Sequence, residues 1–586
     1  MSIMRLLADR TARCSQGVVE VEAIAGEGDA ASPASSLFSD IRMYIGFLKE
    51  SIDSGRLQME GQTIVTPSHP FVVATARSKR SLGKIEPETI ANELASLALC
   101  PDVFVWAPDK LVPGFVIICP ACAKPVSCSE WAPDRPLHIL GRQMAYITKK
   151  YICYRCEAKH RPSAVTKLLD ETITTKTRKQ RKFQADSPEV LASLPEGVRA
   201  FWPLATTGRI LCDASVVDFV RALATRTSWA GIAEALNEIQ ENAWRMKAAG
   251  ATPTPCSSLR DDGSAVVMQR PAEYRLSAEW VRNVYLMDWQ NRKDAVTKEL
   301  VSETGDDVLV LDWTIDAAAR CNADFLFNVM DGGRHILLSA LTQSCSPHCV
   351  KSFLKQLQQR GVRPKVVYVD CECCGLWKTI VGDIWPGAYV RLDGMHAIRR
   401  LTQTVTSTQH PWHGPLCAAL SNAIYTSDAE VLSNLRAARC RDGLPENIPT
   451  HVKSKLVPRT VVDMRRIAAA VEAVLDKYTG SHATAGALLT AATNEAWRNL
   501  RPHIDEGCLC DPPGVDINKF EGWVSVGGER FRTVRTMRGA SALEGFHAHQ
   551  KRWLGCLARH ALDAGSALLA DGAWRWNRKR RRDEED

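Results

Sequence analysis

The sequence predicts an α/β protein of several domains, with a small metal-braced module ahead of a larger core. Three observations lead there. The chain has 586 residues, too many for one hydrophobic core. Two C-x-x-C pairs, Cys119/Cys122 and Cys153/Cys156, are separated by thirty residues, a spacing that suits one tetrahedral Zn²⁺. From residue 275 onward, short apolar runs that end in polar residues alternate with amphipathic stretches, the pattern of strands and helices in one layered domain.

The N-terminal part is read in order. Residues 1–36, rich in Gly, Ala and Ser, predict a disordered segment. Residues 37–160 predict an α+β region whose last part, 116–160, is zinc-ribbon-like; the run Arg142 to Cys153 reads as a strand leading into the second cysteine pair. Four thiolates close the coordination sphere, so this zinc is structural. Cys128, His138 and His160 are spare donors. Residues 161–270 predict a basic linker and a helical region. Lys179, Arg181 and Lys182 are candidate DNA contacts or part of an import signal, against the plainer reading of a solvated linker. Residues 187–250 read as helical, as packed helices or as a helix-turn-helix.

The second part begins with a helix over 279–291. Val308–Thr314, Ile336–Leu341, Lys365–Asp370 and Ala388–Asp393 read as four strands, and Val350–Arg360 as a helix. The core's first part is placed at 275–396, a helical insertion at 397–540, the returning core helix at 541–565 and a basic tail at 566–586. Strand-like pieces are expected at Gly522–Val526 and Phe531–Val534.

The candidate chemistry sits on acids: Asp312 and Asp370 at strand ends, and Glu544 on the late helix. Three converging carboxylates can hold two Mg²⁺ or Mn²⁺ ions about 4 Å apart. Strand-end Asp residues are common as turn formers and helix caps, so Asp316, Glu372 and Asp393 remain rivals, and the choice between Asp370 and Asp393 stays open. Cys371, Cys373 and Cys374 have a spacing that suits zinc poorly and read as thiols beside a strand end.

The strand and helix order, with its late acidic helix, is that of an RNase H-like core. Leu311-Asp-Trp-Thr314, Val369-Asp-Cys371, Arg391-Leu-Asp-Gly-Met-His396 and Met537-Arg-Gly-Ala-Ser-Ala-Leu-Glu-Gly-Phe-His547 resemble the catalytic blocks of eukaryotic DDE transposases of the Mutator, hAT and KDZ kind. Trp106-Ala-Pro and the two cysteine pairs are similar to the cysteine-bearing domain found ahead of such cores. Trp313 stands where the family pattern has His, and Ala540 where it has Thr.

The resemblance implies metal-dependent DNA cleavage and strand transfer, with Asp312, Asp370 and Glu544 as ligands. Asp393, His396, His549 and Arg552 are neighbour candidates. DNA is the implied partner, as element ends and as target. Joining two ends implies an assembly of at least two copies. An inactive DNA-binding descendant, a nuclease on the same fold and a zinc-braced interaction scaffold are the competing readings.

Net charge is +8, which permits nucleic-acid binding without requiring it. The cluster Arg578, Lys579, Arg580, Arg581 and Arg582 predicts a nuclear import signal or phosphate-binding tail, and hence a nuclear location. No stretch approaches the roughly 20 apolar residues of a membrane span. No secretory signal is expected at the N-terminus, and the 20 cysteines then read as thiols in a reducing compartment.

Overall fold

The computed structural model describes residues 44–46, 48–59, 64–65, 102–157, 180–207, 210–251, 275–321, 323–461, 463–482, 486–554 and 562–585. The segments 1–36, 161–179 and 252–270, which hold the expected disordered start and parts of the expected linker, lie outside them. The fold is mixed α/β and divides into two compact units: 1–137, 142–202 and 241–274 form one, and 138–141, 203–240 and 275–586 the other.

The first unit is organised on a sixteen-residue strand, Arg142–Glu157. Asp102–Trp106 lies parallel to it, with Phe104 opposite Tyr146. Ser127–Trp131 and Gln180–Gln184 pair with it antiparallel. The Trp106 side chain is fully buried; its indole N–H donates to the Ala185 carbonyl at 3.0 Å, and its ring meets Trp202 at 4.8 Å.

The second unit contains a five-stranded sheet: β1 Val308–Thr314, β2 Phe325–Asp331, β3 Ile336–Thr342, β4 Val366–Val369 and β5 Tyr389–Leu392. Its order is β3-β2-β1-β4-β5. β2 runs antiparallel to both neighbours, while β1, β4 and β5 are mutually parallel. The sequence predicts four strands here; β2 is the fifth. Its apolar run is broken by Asn328, which is fully buried and makes a reciprocal amide pair with Gln550, at 2.8 and 3.1 Å.

The side-chain period of two sorts this sheet into two faces. Leu309, Leu311, Val367, Val369, Val390 and Leu392 pack against one set of helices: α2 Pro347–Gln359, α3 Leu376–Ile384, α4 Gly394–Thr402 and α5 Ala491–Asp505, with Met464–Tyr478 and His413–Ile424. Val308, Val310, Val366 and Tyr368 face Leu543 and Phe546 of α6 Ser541–Trp553 and Ala573 of α7 Leu562–Glu585. Asp312 has the parity of Val308 and Val310, so it faces α6.

Two expectations need correction. Residues 187–250 are not helical throughout: after the short helices Pro188–Ser193 and Glu196–Arg199, Leu204–Thr207 and Ile210–Asp213 form an antiparallel pair ahead of the longer helix that starts at Ala214. The residues assigned to a basic tail belong to α7, a helix of the core. Asn577 holds the start of β3 through both backbone groups of Ile336, at 2.8 and 2.9 Å. Asp571, with a fully buried side chain, accepts from Arg292 at 2.9 Å and Arg575 at 3.0 Å. Arg292 also pairs with Asp288, which Arg221 grips as well. These charges tie α7 to α1, the helix Ala278–Ser302.

Removing one partner of a buried ion-pair network strands the others. Asp571→Ala should therefore lower stability by about 3 kcal/mol or more, measured by urea unfolding of the full chain. A change below about 1 kcal/mol would mean that α7 is not anchored by these charges.

Candidate metal and carboxylate sites

The cysteine quartet assembles as the spacing predicts. Cys119 and Cys122 lie on a tight turn before Ser127–Trp131; Cys153 and Cys156 lie at the far end of the long strand. The turn closes through Ala123 N–H to the Cys119 carbonyl at 2.9 Å, with Ala123 at φ +54°. The sulfurs of Cys119 and Cys156 are 3.7 Å apart and those of Cys122 and Cys153 are 3.6 Å apart. A tetrahedral Zn²⁺ with bonds of about 2.3 Å requires sulfur separations of about 3.8 Å. Burial alone would raise the Cys153 thiol, but the backbone N–H of Arg155 and the Cys122 thiol bring it down to about 7. The quartet can hold zinc as it stands. Among the spare donors, Cys128 is exposed, His138 packs edge-on to Trp280 at 4.8 Å, and His160 lies outside the described residues.

The acids gather at the ends of the central strands. β4 pairs with β1 so that Tyr368 stands opposite Val310. Asp370 follows the end of β4, near enough for its charge to act on Asp312, but it is not among the donors that gather within 4.8 Å. Asp312 is buried, with 4% exposure, and accepts from the Trp313 backbone N–H at 2.7 Å. Glu544 reaches the group from the first turn of α6, where the helix terminus favours a negative charge. His547, three residues on and therefore on the same helix face, places Nδ1 3.8 Å from both Asp312 and Glu544. Ligand atoms of Asp312, Glu544 and His547 lie within 4.8 Å of one another. Asp370 Oδ1 and His547 Nε2 are buried and find no hydrogen-bond partner among the described residues.

Asp393 behaves differently. It caps α4 by accepting from the Met395 N–H at 2.6 Å, and it also accepts from the Ala540 N–H. Its carboxylate is thus occupied by backbone donors. His396 stands between the acids, Nδ1 3.3 Å from Asp393 and Nε2 3.6 Å from Glu544. Arg399 adds a contact to Glu544 at 3.7 Å, and the Arg400 guanidinium holds the Asp370 carbonyl.

These neighbours set the charges. Burial pushes the Asp312 carboxyl up to about 6; His547 and His396 pull against this, and Asp370 and Glu544 add to it. Asp393 and then Glu544 hold the His396 imidazolium, raising it to about 10. His396 and His547 keep Glu544 well below the ordinary carboxylate range. Burial works against Asp393 ionising, but His396 and the Ala540 N–H leave it below its usual value.

Of the neighbour candidates, Asp393 and His396 lie in the group, but His549 does not. Its ring meets Trp576 at 5.3 Å and Trp553 at 6.4 Å. Five residues past Glu544 is more than a quarter turn away on a helix, and His547 takes the place that His549 was expected to hold. Arg552 is exposed. Of the basic candidates, Lys182 is exposed, Lys179 lies outside the described residues, and the Arg181 backbone pairs with Cys153. Lys579 and Arg582 are exposed on α7, and Arg578 lies over the Trp574 ring. Arg580 lies over Trp576, and Arg581 is paired with Glu303 at 2.6 Å.

Cys373 and Cys374, read as thiols beside a strand end, belong to a second group of possible metal ligands. They meet His503 and Cys508, with all four donor atoms within 4.8 Å of one another. Cys371 is not among them. The local spacing hides this group because two of its four members come from a segment 130 residues away.

No protein-family model matches this sequence, and no curated protein is similar to it.

A group whose folded-state pKa is raised contributes fully to stability below its unfolded value, and loses that contribution as pH rises through the folded one. For Asp312 that window runs from 3.8 to about 6. Asp312→Asn should therefore unfold at higher urea than the parent at pH 8, by about 1–3 kcal/mol, with zinc retained and no other divalent ion added. The gap should close near pH 4. An equal gap at both values would mean that charge burial is not its source.

Proposed function

We propose that this chain is a transposase-like enzyme that cuts and joins DNA strands, with Asp312, Asp370 and Glu544 as an acidic triad on an RNase H-like core. The observation that carries the reading is the meeting of three acids from distant segments: two at adjacent parallel strand ends and one on a helix that returns after the insertion. The five-stranded sheet with its antiparallel second strand supports the same reading.

The donor set suits a hard divalent ion. Asp312 is a buried acid that ionises only near pH 6, and Asp370 keeps a buried oxygen unused, as ligands awaiting a counter-charge would. Asp312, Asp370 and Glu544 would hold Mg²⁺ or Mn²⁺, which lowers the pKa of an attacking water or 3′-hydroxyl and stabilises the departing oxygen. The nitrogen of His547 beside them leans toward Mn²⁺. Asp370 is preferred to Asp393 as the second ligand because the Asp393 carboxylate is already taken by backbone N–H groups. Asp393 then acts as a positioning residue: it sets the entry of α6 and the orientation of His396, which keeps Glu544 ionised.

DNA, as element ends and as target, is the proposed partner, and pairing of ends implies two or more copies. The exposed antiparallel ribbon Asn518–Val526/Glu529–Thr536 offers a surface for it. Trp523 and Phe520 are exposed there, with Arg530 over the first ring and Arg532 over the second. Such pairs can take phosphates and stack on bases. The exposed Lys579 and Arg582 could serve either DNA or nuclear import.

The departures at Trp313 and Ala540 motivate the second reading, an inactive DNA-binding descendant. At Ala540 the contact to Asp393 uses only the backbone N–H, so loss of a side-chain hydroxyl leaves it in place. Trp313 packs on Phe327 and Trp377.

The deciding experiment uses duplexes carrying the sequences that flank the coding region, with Mg²⁺ or Mn²⁺. The intact chain should cleave and join them; Glu544→Gln should lose at least about a hundredfold in rate while binding the same duplex within about threefold. Binding without cleavage by the intact chain would establish the inactive descendant. Cleavage without joining would leave a nuclease. Because the ion must displace the Asp312 proton, Mn²⁺ affinity should rise up to about tenfold per pH unit below 6 and level off above it, read by titration of bound Mn²⁺ from pH 5 to 8. A flat profile would remove Asp312 from the ligand set.

A further inference from the structure

We infer that Cys373, Cys374, His503 and Cys508 hold a second structural zinc ion, which fastens the helical insertion to the strand that carries Asp370. The inference stands on its own, whether or not the chain cuts DNA.

The geometry is that of a closed tetrahedral site. His503 Nδ1 is 3.2 Å from the Cys373 sulfur and 3.1 Å from the Cys374 sulfur, and all four donors fall within 4.8 Å of one another. A zinc ion with three thiolates and one imidazole needs donor separations of about 3.5–3.8 Å. A small adjustment of the four side chains around the ion therefore completes the site. Three sulfurs and one nitrogen are soft donors that select zinc over Mg²⁺ or Ca²⁺. This set also differs chemically from the carboxylates nearby, so the two sites would take different ions.

The backbone is shaped to bring the four together. After β4 the chain turns through Glu372 at φ +50°, a left-handed conformation uncommon outside Gly, and Gly375 N–H donates back to the Glu372 carbonyl at 3.1 Å. That turn presents Cys373 inward, with 1% exposure, and leaves Cys374 at the surface. On the other side, His503 lies in the last turn of α5. The helix ends at Gly507, φ +71°, and Cys508 N–H donates to the His503 carbonyl at 2.9 Å. One turn of helix and one glycine thus place a nitrogen and a sulfur side by side, as a knuckle does.

The position gives the site its role. Cys373 lies three residues beyond Asp370. The Cys508 carbonyl accepts the Leu392 N–H at 2.8 Å, and Asp393 follows directly. An ion held here would fix the end of α5 to the two strand ends whose acids enter the carboxylate group. It would act as a positioning element, with no open coordination place for substrate.

Zinc content of the full chain, purified without chelator, tests the proposal. The intact protein should carry two zinc ions per chain. Cys119→Ser with Cys122→Ser should leave one, and Cys374→Ser with Cys508→Ser should also leave one. His503→Cys should restore the count to two, because it supplies a fourth thiolate, whereas His503→Ala should not. Cys374 is exposed, so Cys374→Ser alone should fold; with Co²⁺ in place of zinc it should change the visible spectrum of one site only. One zinc in the intact protein, removed wholly by the Cys119/Cys122 pair, would overturn the inference. So would a Cys373–Cys508 disulfide, detected by mass after alkylation of the unreduced chain.

Discussion

One buried carboxylate, that of Asp393, determines how the second unit closes. It is 2% exposed and follows the last strand of the sheet directly. Its oxygens receive the N–H groups that open α4 and the N–H of Ala540 at the entry to α6. Gly539 approaches it at φ +81°, and a Cβ there would sit 3.0–3.1 Å from the carboxyl atoms. Backbone N–H groups directed at a buried anion are among the stronger hydrogen bonds a protein makes, on the order of 1.5–3 kcal/mol each. The Met537–His547 block is therefore intelligible as geometry: a glycine for the close approach, a bare N–H for the carboxylate, then a helix that carries Glu544 and His547 toward β1.

The charges around that bracket are arranged in opposition. His396 sits between Asp393 and Glu544 and stays protonated to about pH 10. This keeps Glu544 ionised. Asp312, buried deeper, lacks an equal counter-charge and holds its proton to about pH 6. Asp312 on its strand and Glu544 on its helix are thus pushed apart in their titration by burial and by which of them the histidine reaches.

Much of this was legible in local sequence, and the rest was not, for identifiable reasons. β1 and β4 are continuous apolar runs, as buried parallel strands must be. The first cysteine quartet declares itself because both pairs have turn spacing. β2 was missed because Asn328 interrupts its apolar run, and its partner Gln550 lies 222 residues away. Of the two histidines on this helix, His547 is the one legible as a neighbour of Glu544, because a three-residue step keeps it on the same face. The C-terminal basic cluster reads as a tail only while the buried Asp571 and Asn577, which make it a core helix, are overlooked. The Cys373 group could not be read at all, since each half alone looks like scattered thiols. It becomes visible only once a helix end and a strand end are brought together in space.

The Asp393 bracket has a consequence for how this fold can vary. The excursion from Gly394 to Gly539 leaves from and returns to the same carboxylate. Chain-closure entropy grows only logarithmically, about 0.6 kcal/mol for each doubling of length. Away from His396–Arg400, which touch the acids, and from His503–Cys508, which meet the Cys373 turn, residues can therefore be gained or lost within the excursion without the acids registering the change, provided that the two ends still meet. The arrangement separates what must stay fixed, the closure and the residues that touch it, from what is free to diverge.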